Sequence, residues 1–455
     1  MNLKKYIGNK KFYKKSASMA LPLMFQQVLA GAMGIVDTIM VSWIGMVSAV
    51  GTASQIDILS GMINYGIIGG TSMFSAQFYG ANDYKNLRRT FGLSVVLAFI
   101  NGFFWFLVAS FFGSLIMKFY IDDSIIIENA LKYLNISKFY LIISGINFAF
   151  AATYRSMKQS SLTLKISFSS MLINTVLNYL LIYGVGPFPK LGVQGAAIAT
   201  VIAMLCSNSF YLIHALYTKQ PFLGPINEMF HFEKKFILTI TKKIIPLVIN
   251  EALFGFGNTL FIKAFGQLGK TSMDAYYVSF QISNLFNAAI YGYGSAVQSL
   301  LGNILGAGKI EKAKEESNYH FGLSFMMSVI LVISMIVFSK PLVAMFNLKD
   351  PITNSLAVSL LFVFALKVSM RLFNFVIFSI LRSGGDVNVL QFLDSGIEWL
   401  VGLPLAFISV NVFKIESIVI VLLITQLEQL VRLIFGLKRV FKYIWAEDLT
   451  VLVEE

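Results

Sequence analysis

Twelve long apolar runs dominate this chain, and they settle most of what it can fold into. They fall at about 17–43, 50–78, 90–113, 133–154, 161–184 and 192–217, then at about 237–266, 275–304, 317–339, 355–381, 389–410 and 415–436. A bilayer core about 30 Å thick needs about 20 apolar residues per spanning helix. Within lipid every backbone polar group must find its partner inside the protein, which leaves helices or closed barrels. The runs are continuous rather than alternating, so the expectation is an all-α integral membrane protein with twelve transmembrane helices. Composition agrees: of 455 residues 56% are hydrophobic, only 13% are charged, and 42 are Phe. A soluble domain carries roughly 25% charged residues.

The formal charge of +13 would suit nucleic acid if it were clustered, but the bases sit in short loops between apolar runs, so no nucleic-acid partner is expected. Twelve spans put both termini on one side of the membrane. Most of the 36 Lys and Arg fall in segments on that side, and positive charge collects in short cytoplasmic loops. A multi-pass protein of the cell's inner, plasma membrane with both termini cytoplasmic follows. Met1 to Lys15 is basic but runs into a full-length span without a small-residue cleavage site, so no removable signal peptide is read. Cys206, the single cysteine, lies inside an apolar run and excludes a disulfide frame or thiolate metal site.

The two sets of six runs repeat one another. At an offset of 224, Pro22, Leu23, Leu29, Gly31 and Gly45 meet Pro246, Leu247, Leu253, Gly255 and Gly269. At 226, Gln55, Gly66, Gly80 and Ala81 meet Gln281, Gly292, Gly306 and Ala307, and at 227 Arg155-Ser156 meets Arg382-Ser383. The reading is two pseudo-symmetric six-helix bundles, 1–217 and 244–455, joined by a cytoplasmic linker at 218–243. Because six is even, the repeat is parallel. Transporters built from such repeats bind substrate at the repeat interface and alternate access by rocking.

Ionisable residues within spans are costly and point to function. Asp37 lies six residues from the outer end of span one, about 9 Å deep at 1.5 Å per residue. Asn174 and Asn178, four apart, share one face of span five, and Thr200 lies at similar depth in span six. One carboxylate, two amides and a hydroxyl make an oxygen site for a hard monovalent cation such as Na+, or a setting for Asp37 as a proton carrier. Helix-to-helix hydrogen bonding is the plainer role for the amides and Thr200. In the second half Glu251, Lys367, Arg371 and Glu398 fall near mid-span. Acid–base pairs are expected, Glu398–Arg371 with Glu251–Lys367 as one arrangement, serving packing, substrate selection or a second proton site. Asp57, Lys263 and Asp394 lie nearer span ends and are expected to snorkel, while Glu428 and Arg432 form an i, i+4 pair. Tyr79-Gly80-Ala81-Asn82-Asp83 and Leu305-Gly306-Ala307-Gly308-Lys309 read as cytoplasmic turns in which Gly ends a helix. His214, His231 and His320 read as interface residues without catalytic partners, and no ATP-binding motif is present.

The chain resembles the multidrug and toxic compound extrusion family from about Lys15 to Arg439. The resemblance rests on Pro22 to Gly45 with Asp37, Ala76-Gln77-Phe78-Tyr79-Gly80-Ala81, Asn174-Thr-Val-Leu-Asn178, Gly192-Val-Gln-Gly-Ala-Ala-Ile-Ala-Thr200, Pro246 to Gly269, Leu381-Arg-Ser-Gly-Gly-Asp386 and Pro404. It implies antiport of Na+ or H+ against small, often cationic, drug-like organic compounds, without a cofactor or enzymatic activity and as a monomer. It also implies that Asp37, Asn174, Asn178 and Thr200 form the first-half cation site. Some members carry a second carboxylate at the position of Asn178, so here one must serve. Others have an acid where Arg371 stands, and Glu251 lies close to an acid that some use in span seven. The alternatives are a lipid or lipid-linked oligosaccharide flippase, which would show a strongly cationic cavity, an integral membrane acyltransferase, or a channel.

Overall fold

The computed structural model describes residues 3–348 and 350–454. Among them there is no strand, and twelve long helices carry the fold. In the first half these are α1 (Lys10–Ser42), α2 (Val47–Ala81), α3 (Tyr84–Tyr120), α4 (Ser124–Ser156), α5 (Ser160–Tyr183) and α6 (Val193–Tyr217). In the second they are α7 (Lys234–Gly266), α8 (Lys270–Gly306), α9 (Ile310–Val337), α10 (Pro351–Ser383), α11 (Val387–Val412) and α12 (Ile418–Phe441). Ten of the twelve are long and apolar enough to cross a membrane on their own account. The other two, α2 and α8, occupy matching places in the repeat and have polar interiors: Ser60, Asn64 and Gln77 are buried on α2, Ser279, Ser283 and Asn287 on α8.

Helix ends follow local chemistry. Asp83, Asp123 and Asp350 cap α3, α4 and α10 through backbone amides at 2.8–3.1 Å, the stabilising role of an N-cap carboxylate. The Thr353 hydroxyl and amide, with the Ile352 amide, hold the Asp350 carboxyl below the usual carboxylate range. Past α2 the left-handed residue is Asn82, with φ 59°, rather than Gly80; its repeat counterpart after α8 is Gly308, with φ 70°. The 218–243 segment is anchored: Arg88 binds Glu228 at 2.9 Å and the Pro221 carbonyl at 3.1 Å, and Arg89 binds Glu233 at 3.2 Å.

The chain makes two compact units, one of Phe25–Val248, the other of the chain up to Met24 with Ile249–Leu452. Each unit therefore takes in the opening stretch of the other half's first helix, and each stretch carries an internal proline, Pro22 or Pro246. The two docking points obey the repeat. A Cβ on Gly66 would sit 2.7 Å from the Val248 Cα, and one on Gly292 would sit 2.5 Å from the Met24 Cα. No side chain fits at either position, which is why the repeat keeps glycine there.

Candidate cation site

Within the unit of Phe25–Val248, one apolar cluster includes Met40 and Val41 of α1, Ala53 and Ile56 of α2, Tyr133 and Leu134 of α4, Ile182 of α5 and Ala197 of α6. It fixes the ends of α1, α5 and α6 beside one another. The Tyr183 hydroxyl adds a 2.6 Å bond to the Met40 carbonyl, and Ser170 binds the Ala203 carbonyl at 3.0 Å. Gly195 lies against the Leu181 backbone, where an added Cβ would come within 2.6 Å. These close approaches bring together all four residues expected to form the site.

Asn178 donates from Nδ2 to Asp37 Oδ1 at 2.6 Å and to Asn174 Oδ1 at 3.1 Å. Asn174 donates in turn to the Thr200 hydroxyl at 3.3 Å, and Thr200 donates to the Ala196 carbonyl at 3.0 Å. Every acceptor in this relay is an oxygen, and Asp37 makes no ion pair among the described residues. Asn178 Oδ1 is enclosed without a hydrogen-bond partner. A buried amide oxygen left unpaired costs of order 1–3 kcal/mol, which a cation or water at that point would recover. Carboxylate, amide and hydroxyl oxygens are the donor set of a hard monovalent cation. Among the described residues no three His, Cys, Asp or Glu are placed to hold a metal ion, so a cation here relies on one carboxylate and neutral oxygens.

Asp57 does not snorkel. It lies ten residues into α2 with Oδ1 enclosed and unpartnered, and both it and Asp37 lie within electrostatic reach of Tyr133 and Tyr140 on α4. Its spacing with Ser60 and Asn64 (i, i+3, i+7) places all three on one helix face, a signal legible in the sequence that distance from the span end obscured.

The second-half charges are all present, but in other pairings. Arg432 on α12, 1% exposed, binds Glu428 at 2.7 Å, Asp394 at 3.1 Å and Glu398 at 3.5 Å. Asp394, expected at the interface, is thereby held inside, and also accepts from Asn250 at 3.0 Å. Glu251 pairs with Arg382 at 3.8 Å, not with Lys367. Arg371 pairs with no acid among the described residues: it donates to the Tyr291 hydroxyl at 2.9 Å and lies over the Phe254 and Tyr291 rings. The reason is azimuth. The face of α10 bearing Arg371 meets α7 and α8, whereas the acids of α11 and α12 converge on a base of their own. Asp394 and Glu398 stand on two π-helical turns, Phe392–Gly396 and Glu398–Gly402, which widen the helix and are common at functional positions. Gly257 and Gly402 make room, since a Cβ on either would collide with Glu398 or Glu428 respectively. His320 is likewise no interface residue. It is fully buried, bonded through Nδ1 to the Tyr293 hydroxyl at 3.0 Å, with the Phe12 ring edge-on at 4.9 Å.

The MatE family model matches residues 22–180 and 246–408, one stretch in each half and most of the chain. The chain belongs to the MatE family. Its relatives include the probable multidrug resistance protein YoeA of Bacillus subtilis, 23% identical over 413 residues that cover 89% of this chain and 88% of YoeA. A probable multidrug resistance protein NorM of Neisseria meningitidis is 25% identical over 354 residues, covering 76% of this chain and 75% of its own. Among solved structures, an outward-facing multidrug resistance MATE transporter superposes with a TM-score of 0.85 at 17% identity, covering 97% of this chain and 98% of that one. A mutant of the Vibrio cholerae MATE transporter VcmN gives 0.87 at 14% identity, covering 96% and 98%. The fold of this MatE chain is therefore that of a multi-pass, all-helical membrane protein, and its family is one of transporters rather than enzymes.

Proposed function

We propose that this chain is a secondary active antiporter that exports small organic solutes in exchange for Na+ or H+ by alternating access, as a monomer in the plasma membrane with both termini cytoplasmic. One observation carries the coupling: Asp37 is a carboxylate inside a spanning helix, held by a neutral amide and paired with no base among the described residues. A carboxylate locked to an arginine cannot trade partners cheaply; one held by an amide can take up and give back a cation. The unpartnered Asn178 oxygen supplies a second ligand, with Asn174 and Thr200 orienting it. Relatives described as multidrug resistance proteins support organic solutes as cargo, and the two repeats, each carrying the leading stretch it packs with, are the halves that would move. Transport of a fluorescent dye by reconstituted protein, with Na+ and pH gradients imposed separately, tests this reading. One gradient should drive dye movement in the wild type and neither in Asp37→Asn; equal movement by both proteins would end the coupling role.

A further inference from the structure

Two bases at the middle of α10 are left over once the acids buried within the spans of the second unit are assigned. Asp394, Glu398 and Glu428 are taken by Arg432, and Glu251 by Arg382. Lys367 and Arg371, four residues apart and so on one face of α10, have no carboxylate within 4.0 Å among the described residues. Glu398 and Glu428 lie within electrostatic reach of Lys367, and Asp394 and Glu398 within reach of Arg371, but all three acids are in ion-pair contact with Arg432 instead. Snorkelling is closed to Lys367. It stands sixteen residues from each end of Pro351–Ser383, roughly 24 Å along the helix at 1.5 Å per residue, far beyond the reach of its side chain. What surrounds the two bases is aromatic: Phe364 under the Lys367 ammonium at 5.8 Å, and Phe254 and Tyr291 against the Arg371 guanidinium at 5.4 and 5.7 Å. Arg371 Nε is enclosed and donates to nothing.

Two like charges a turn apart repel, and unpaired charge at mid-span is expensive. Ring faces offset part of that cost through cation–π attraction, and the Tyr291 bond fixes the guanidinium plane. The remaining donors are Arg371 Nε and the Lys367 ammonium, the geometry that a planar or tetrahedral oxyanion satisfies. We propose that Lys367 and Arg371 recognise an anionic group, a carboxylate, sulfonate or phosphate, on the transported molecule, while the partly exposed Phe254 and Tyr291 take its apolar or aromatic body. On the transporter reading given above, on which this rests, the chain accepts amphiphilic organic anions and zwitterions. The same chemistry would accept the phosphate of a lipid headgroup, so the test separates the two sources.

Full-length protein, purified in a neutral detergent, is titrated with carboxyfluorescein (anionic), ethidium (cationic) and a short-chain phosphatidic acid. Carboxyfluorescein binding should weaken at least about tenfold in Lys367→Met and in Arg371→Gln, the loss of one charge-assisted contact. Ethidium binding should not weaken, and Lys367→Arg should keep the anion. If only phosphatidic acid shows that pattern, the anion is a lipid phosphate; if carboxyfluorescein shows it, a free solute. Should Lys367→Met and Arg371→Gln, eluting as monodisperse protein, bind both anions like the wild type, or should the wild type bind neither anion, the proposal is overturned. Binding needs no gradient, so its loss is separable from the gradient-driven dye transport that tests the antiporter itself.

Discussion

The two units answer the same problem, a carboxylate in the membrane, in opposite ways. In one, Asp37 meets amides and a hydroxyl that carry no charge. In the other, three carboxylates surround one arginine that is 1% exposed. A neutral partner stabilises an anion without replacing a cation, so the site can still be loaded and emptied. A guanidinium fills that role permanently, and removing it strands its acids. The comparison teaches that depth in the membrane marks a charge as consequential, while the charge of its neighbour decides whether the consequence is traffic or packing.

The contrast can be broken in several places. The largest expected effect is on Asp37→Asn: gradient-driven export falls to the level of empty liposomes, while size-exclusion behaviour and thermal unfolding stay close to wild type. Arg432→Met should show the reverse emphasis, a destabilisation of about 3–5 kcal/mol from uncompensated buried acids, read as a loss of folded protein on heating. If Arg432→Met is as stable as the wild type, the acids around it are not held as anions. Asn178→Asp places a second negative charge beside Asp37 and should tighten apparent affinity for the coupling cation by roughly three- to tenfold, measured from the cation dependence of dye transport. Weaker cation dependence would mean that Asn178 acts only as a donor. Smallest is His320→Gln, for which export should be unchanged and stability should fall by about 1–3 kcal/mol through the Tyr293 bond; a changed pH profile of transport would give that histidine a part in coupling.

Much of this could be read from the residues. The twelve spans and the repeat follow from run length and from glycines and prolines that keep one register. The Asp37 set was legible because a carboxylate in an apolar run stands out, and because Asn174 and Asn178 at i, i+4 have only one way to face. Glu251, Lys367, Arg371 and Glu398 were placed at a depth but not around the helix, and partners depend on the angle around the helix; Asp394 was placed too near the interface. The π-helical turns of α11 carry no sequence signature, yet they bear Asp394 and Glu398. His320 was misjudged because it lies close to the start of its apolar run, whereas its neighbours in space, Phe12 and Tyr293, come from other helices.

The exchange of leading segments has a consequence for any attempt to split the molecule. A chain severed anywhere between Tyr217 and Lys234 yields two pieces, and neither holds a complete set of parts: the front piece lacks the stretch ending at Val248 that seats against Gly66, and the rear piece lacks the stretch ending at Met24 that seats against Gly292. Made alone, each fragment would leave a glycine-lined berth vacant; made together, they can complete one another. The duplication that gave rise to two similar halves has thus ended in mutual dependence.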